Sequence, residues 1–412
     1  MYLTHLSLTN FRNFARLDTD VPRGSLVLVG ENAQGKTSLL EAIYFLATLT
    51  SFHASQDRQL INFIAAREPL SVARLVAAYL RGGHPHRMEV RLIQEANGYN
   101  HTPQFRKEVL LDGVKLKIHE AVGRFNAVLF LPQMVRIIDG APEERRRFLN
   151  LALSQVTPRY GETLANYTQA LSQRNALLKQ LGKFGGDTSQ LEFWDGQLSL
   201  HGAQLIHARI LAIKELERLA AQSHRKLTRG GDILRLSYQP AYDPLPRPTD
   251  QYSLPIDAGV DRSGLTLELI QQGLYLGLVA QHGEDIARGL TTLGPHRDEL
   301  RFLENGIDLG VYGSRGQVRT AILAIKLAEA TWMQNRTGHL PVLLFDEALA
   351  ELDPRRRADL LAHLAQSDQS LMTTTDLDLF VPEFIAQATL WQISGGRLEV
   401  RLDDLQGNSS SS

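Results

Sequence analysis

Residues Gly30-Glu31-Asn32-Ala33-Gln34-Gly35-Lys36-Thr37 match the pattern G-x-x-x-x-G-K-[ST] at every fixed position. The run before them, Leu26-Val27-Leu28-Val29, is unbroken apolar sequence, as suits a strand covered on both faces of a parallel sheet. The run after them, Ser38 to Ala47, is made largely of helix formers. Strand, glycine loop and helix in that order build a cradle for phosphate. Gly30 and Gly35 let the backbone turn its N–H groups inward, and the helix N-terminus adds partial positive charge. Lys36 can reach β- and γ-phosphates, and the Thr37 hydroxyl can ligate Mg²⁺. The motif therefore implies an α/β core and a bound nucleoside triphosphate.

The bulk properties narrow the setting. A chain of 412 residues is long for one core, so two or three packed units are expected. No segment carries about 18 consecutive apolar residues, so no membrane span is expected. The N-terminus has neither the charged nor the apolar region of a signal peptide. There are no cysteines, which removes disulfides, thiolate zinc sites and a Cys nucleophile, and suits a cytoplasmic protein. The 44 basic and 45 acidic residues nearly cancel, so any contact with nucleic acid has to come from a local patch. The 13 histidines show no ligand spacing, and no metal beyond Mg²⁺ is indicated.

Leu6 and Leu8 alternate with Ser7 and Thr9, the period of a strand, and a second extended run leads to a turn at Pro22-Arg23-Gly24. Residues 71–118 read as a β-meander, with turns at Gly82-Gly83-His84-Pro85 and at Asp112-Gly113. Val128 to Leu131 is a further buried strand. From about 142 to 228 the period becomes helical. Pro142-Glu143-Glu144 opens a helix, and two long helices flank a turn at 183–187, predicting an antiparallel arm of several turns. Pro240, Pro244, Pro246, Pro248 and Pro255 mark 239–262 as a connector, followed by helix near 265–288. Helix and strand then alternate again, and 404–412 reads as a solvated tail.

Two further constellations carry chemistry. Val342-Leu343-Leu344-Phe345-Asp346-Glu347 is an apolar strand ending in two carboxylates. Asp346 can hold Mg²⁺ opposite Thr37, and Glu347 can orient and deprotonate an attacking water. Ser314-Arg315-Gly316-Gln317 precedes an amphipathic helix. Ser at the N-cap with Gln three residues on is a capping box, which is a structural role. The same helix start also presents N–H groups and a hydroxyl to an anion.

In this order, and with Glu351-Leu352-Asp353 following, these motifs resemble the Walker A, signature, Walker B and D-loop of ABC-type ATPases. That resemblance implies a homodimer in which two subunits sandwich two ATP molecules, each signature facing the γ-phosphate held by the other subunit. Roughly 280 residues separate Walker A from the signature. The spacing is too long for a transporter subunit and too short for the coiled coils of SMC proteins. The chain is similar to the RecF family of the SMC-like ABC superfamily. Three more segments carry this resemblance: Leu8 to Phe14, Glu143 to Leu149, and Gly294-Pro295-His296-Arg297-Asp298-Glu299-Leu300. It covers about residues 1–400.

The resemblance implies an ABC-type head of mixed sheet and β-meander at 1–140 and 290–403, with a helical arm, or lobe II, inserted at 141–289. It implies a weak, DNA-dependent ATPase acting on duplex and gapped DNA in recombinational repair, with RecR and RecO helping RecA onto single strands. Gln133 is the candidate Q-loop residue, with a solvent-facing turn residue as the other reading. Thr374, in the run Met372-Thr373-Thr374-Thr375-Asp376, stands where transporters carry a switch histidine; a hydroxyl there cannot gain charge near neutral pH, which points to slow hydrolysis. Arg145, Arg146 and Arg147 point three ways from one helix and are expected to be solvated or paired with Glu143 and Glu144. Arg12 is either near the nucleotide base or an ordinary surface residue. His296 and Arg297 are either a structural turn or a contact between lobes. The alternatives in other classes are a transport ATPase subunit, which needs a membrane partner, and a nucleotide-stabilised scaffold, which Glu347 opposes.

Overall fold

The computed structural model describes residues 1–95, 104–245, 260–365 and 367–400. Pro246, Pro248, Pro255 and the 404–412 tail lie outside the described residues. The chain forms two compact units, Met1–Gln133 with Met333–Ser412, and Met134–Trp332. Residues 290–332 thus group with the helical segment.

The first unit holds two six-stranded sheets. One is wholly antiparallel, in the order Phe14–Asp20, Tyr2–Phe11, Leu70–Arg81, His84–Glu95, Gln104–Leu111 and Val114–Leu116. This is the meander that the alternating sequence predicts, and Asp112-Gly113 makes its last hairpin turn. A register shift between Leu3 and His5 lets Leu3, Leu6 and Leu8 all reach the core despite their uneven spacing.

The other sheet runs Arg397–Val400, Thr389–Ser394, Gly24–Val29, Gln369–Thr374, Val342–Asp346 and Ala127–Phe130. All its neighbours are parallel except the first pair. Its inner strands are apolar runs because both faces are covered; every residue of Val342–Asp346 is buried, and Phe345 stacks on Phe130. Helix Lys36–Thr48 is apolar on nearly every side and packs against strands of both sheets. The phosphate loop is therefore fixed at the carboxyl end of a buried parallel strand.

The second unit is mainly helical. After the short helix Arg136–Asp139 come Pro142–Val156, Tyr160–Phe184 and the 37-residue helix Leu191–Leu227. The bonds Thr163 to Gln204 and Arg174 to Asp195 show the last two running antiparallel, as the sequence predicts for the arm. Leu267–Ala280 and His282–Arg288 follow. The unit also holds a three-stranded sheet, Ile307–Asp308, Glu299–Glu304 and Leu234–Gln239, which the sequence reading does not anticipate. Its signal is present: Leu234, Leu236 and Tyr238 are buried and alternate with Arg235, Ser237 and Gln239.

Two buried ionic clusters hold this unit. Arg174 bonds Asp195 at 2.8 Å, Asp285 at 2.7 Å and Thr291 at 2.9 Å, with all three charged side chains inaccessible to solvent. Arg209 bonds Asp298 and the Pro295 carbonyl, each at 2.6 Å, and Tyr238 donates to the same carboxylate. The Gly294–Leu300 segment is the centre of this packing. Burial holds the His296 ring at about 4, so it is neutral. Its Nδ1 accepts from the Tyr167 hydroxyl at 2.7 Å, which leaves Nε2–H to donate to the Thr291 carbonyl at 3.1 Å. Arg145 clasps Glu299 and the carbonyls of Ile138 and Gly140, while Arg146 bonds Glu143 and the Asp298 carbonyl. Of these two, only Arg146 has the expected partner.

Candidate functional site

The phosphate loop begins where strand Gly24–Val29 ends. A Cβ on Gly30 would lie 2.4 Å from the Ile393 carbonyl oxygen, so no side chain fits there. Gly35 has φ +118°, and a Cβ would meet the Asn13 amide at 2.6 Å. The loop is pinned from outside as well. The Asn13 amide and the Gly396 N–H each donate to the Gln34 carbonyl, and the Gly395 N–H donates to the Gln34 side chain. These three bonds tie the Gln34 end of the loop to Asn13 and to the Gly395-Gly396 turn.

Lys36 is buried and donates to the carbonyls of Gly30 at 2.5 Å and Glu31 at 2.9 Å. Its Nζ stands 3.9 Å from Glu347. Burial pulls the ammonium below the usual lysine range, and the charges of Glu347 and Asp346 oppose the shift. A poorly solvated cation at a helix N-terminus is stabilised by an incoming phosphate.

Asp346 ends its strand and is 7% exposed. The Thr37 hydroxyl donates to its two oxygens at 2.9 and 3.0 Å. The Thr373 hydroxyl donates to Oδ1 at 2.7 Å and accepts the Glu347 N–H at 3.0 Å. Glu347 itself has φ 49°, in the left-handed region, which ends the strand and leaves its carboxylate exposed. Thr37 and Asp346 thus present adjacent hard oxygen donors, the kind that suits Mg²⁺.

Lys36, Thr37, Asp346 and Glu347 line one cavity of about 600 Å³, together with Arg12, Asn13, Glu31, Asn32, Ala33, Gly35 and Gln133. Gln133 is exposed and faces this cavity. Arg12 also lines it, held there by paired bonds to the buried Glu41 at 2.7 and 2.8 Å. His53, Ile61 and Phe63 complete one wall, and none of the three stands out in the sequence.

The remaining predicted residues lie elsewhere. Asp353 caps helix Pro354–Leu364 by accepting the Arg356 N–H. Thr374 exchanges hydrogen bonds with the backbone of Asp376. Of the two adjacent threonines, Thr373 is the one that touches Asp346, because it pairs with Asp346 across the parallel strands and its neighbour projects to the opposite face. Ser314 to Gln317 open helix Arg315–Thr337 in the second unit, and all four are exposed. Their capping box is formed: the Ser314 N–H donates to Gln317 Oε1 at 2.9 Å, and the Gln317 N–H donates to Ser314 Oγ at 3.3 Å.

Comparison with known proteins places this geometry in a family. Residues 2–381 match the model described as the RecF/RecN/SMC N terminal domain. A DNA replication and repair protein RecF from Roseiflexus castenholzii is 39% identical, across 97% of this chain and 99% of that protein. One from Enterococcus faecalis is 34% identical, also across 97% and 99%. A solved recombination mediator protein RecF-ATP of the RecFOR pathway superposes with a TM-score of 0.81 at 28% identity, covering 97% of this chain and 98% of that one. An Smc head matches with a TM-score of 0.50 at 16% identity, a likeness of fold. The fold is thus the ABC-type ATPase head with a helical insertion. None of these relatives is a transporter subunit, and no helix among the described residues is long and apolar enough to cross a membrane.

Proposed function

This chain belongs to the RecF family of DNA replication and repair proteins, and from that premise we propose that it is an ATP-gated DNA-binding ATPase that works as a pair of copies. ATP occupies the cavity of the first unit, with its phosphates on the backbone of Gly30 to Thr37 and on Lys36. Thr37 and Asp346 would hold Mg²⁺, which when bound offsets negative charge on the phosphate oxygens. Glu347 orients a water and takes its proton, while Gln133 faces the same space from the turn Pro132–Val135 that follows strand Ala127–Phe130. Ser314 to Gln317 face the γ-phosphate of a second copy, Asp353 lies at the same junction, and Thr374 serves the switch.

The observation that carries this reading is the convergence of Lys36, Thr37, Asp346 and Glu347, from two distant stretches of sequence, on a single cavity. The exposed Ser314–Gln317 helix start supplies the half of an ABC site that a partner copy uses. As functional parts, we assign 1–140 and 290–403 to the ATPase head and 141–289 to the arm. The solved relatives belong to a RecFOR pathway, and we place this chain in such a pathway, acting in the cytoplasm. It binds duplex DNA at gaps, with RecO and RecR as partners in loading RecA.

Sedimentation with ATP and Mg²⁺, with and without duplex DNA, tests the reading. Wild type is expected to dimerise on ATP and to retain DNA only then, with retention falling as salt rises. Lys36→Ala is expected to abolish both responses. DNA retention by that variant equal to wild type, or independent of nucleotide, would refute ATP gating.

Thr373→Val tests the inner part of the site. It keeps the shape and removes the hydroxyl that holds both Asp346 and the Glu347 N–H. A hydrogen bond to a charged group contributes about 1.5–3 kcal/mol, so turnover is expected to fall about ten- to hundredfold. ATP affinity, measured by equilibrium binding, should change little. Turnover within twofold of wild type would show that the hydroxyl is dispensable.

A further inference from the structure

Glu304 ends strand Glu299–Glu304 and is 4% exposed. The Gln317 side-chain amide donates to its Oε1 at 2.5 Å. The other end of that amide accepts the Ser314 N–H, and the Gln317 backbone donates to Ser314 Oγ. The amide is thus fixed at both ends, since a flipped one would set its oxygen against a carboxylate. On the far side of Glu304, Nε2 of the fully buried His224 lies 3.0 Å from Oε2, at an angle outside hydrogen-bond geometry. His224 belongs to the last turn of helix Leu191–Leu227.

This arrangement adds to an ordinary capping box. A capping box accepts either Glu or Gln at its third helical position. Here only Gln suits, because a Glu would place a second carboxylate against Glu304. The box also leaves the Ser314 hydroxyl proton unused, since Oγ serves as acceptor to Gln317. That proton is free to donate to a phosphate oxygen.

We propose that Glu304 is a positioning residue for the signature: by locking Gln317 it fixes the N–H and hydroxyl that Ser314 presents to the nucleotide of the second copy. The same buried carboxylate lies against His224, in the last turn of the long helix of the arm. This inference rests on the reading that Ser314 to Gln317 act on the partner's ATP.

The test uses the full chain with ATP and Mg²⁺, reading dimerisation by sedimentation, turnover by phosphate release, and ATP affinity by equilibrium binding. Gln317→Glu, at an exposed position, keeps the capping box but repels Glu304. It is expected to weaken dimerisation and turnover at least tenfold while ATP affinity stays within about twofold. Adding Glu304→Gln puts the amide and the carboxylate back in contact with their places exchanged, and should restore both readouts to within about threefold of wild type. Wild-type behaviour of the single variant, or a double variant no better than the single, overturns the proposal. Ser314→Arg separates this from the underlying reading. If Ser314→Arg dimerises and turns over normally, action on the partner's ATP fails and the positioning role fails with it. If Ser314→Arg loses both while Gln317→Glu keeps both, only the positioning role fails.

Discussion

Glu347→Gln is expected to lower ATP turnover by about 10²–10⁴-fold, the usual contribution of a positioned general base. The substitution is nearly isosteric. It leaves the Glu347 N–H on Thr373, and it leaves Asp346 on Thr37 and Thr373. What is lost is the ability to take a proton, together with the negative charge 3.9 Å from the Lys36 Nζ. Binding should survive, because Lys36 stays held by the Gly30 and Glu31 carbonyls and the phosphate loop is unchanged. The variant should therefore accumulate as an ATP-bound dimer that holds DNA longer than wild type. Single-turnover phosphate release and sedimentation, run together, check both halves. Hydrolysis at the wild-type rate would remove Glu347 from the chemistry. Lost hydrolysis without a trapped dimer would separate the chemistry from dimerisation.

The second large effect is on stability. Arg174→Ala is expected to cost about 3–5 kcal/mol, because it strands the carboxylates of Asp195 and Asp285, both fully buried. His282 offers Asp195 a bond at 2.6 Å, but Asp285 keeps only Thr292 as a side-chain and backbone partner. The loss should be local. Hydrogen exchange is expected to quicken in the helices Tyr160–Phe184, Leu191–Leu227 and His282–Arg288, with helix Lys36–Thr48 unchanged. Denaturant titration gives the magnitude. A loss under about 1 kcal/mol would mean that solvent replaces the guanidinium.

Much of this was legible in the sequence, and the physical reasons differ by region. The phosphate loop and the strand ending at Asp346 were visible because buried parallel strands are apolar runs and phosphate loops need glycine at fixed places. The meander and the arm followed from their periods of two and 3.6 residues. The strand Leu234–Gln239 carried a clear alternation, yet it is six residues long and lies between a long helix and a proline-rich connector. Thr373 and Thr374 were indistinguishable because a one-residue change of register exchanges the faces of a strand, and sequence alone does not set the register against Asp346. The local sequence around 145–147 offers only Glu143 and Glu144 as partners, whereas Arg145 pairs with Glu299, 154 positions away. Long-range partners of this kind leave no local trace.

The left-handed backbone at Glu347 has a consequence for anyone engineering this protein for heat resistance. A non-glycine residue in that conformation costs about 1–2 kcal/mol, which glycine would relieve. A screen that rewards only melting temperature is therefore drawn toward positions of this kind, among them Glu347, to which we assign the water's proton. Glu347→Gly would gain stability, would keep Lys36 and the phosphate loop, and on the mechanism we propose would no longer turn over. Selection for durability has to be paired with selection for turnover.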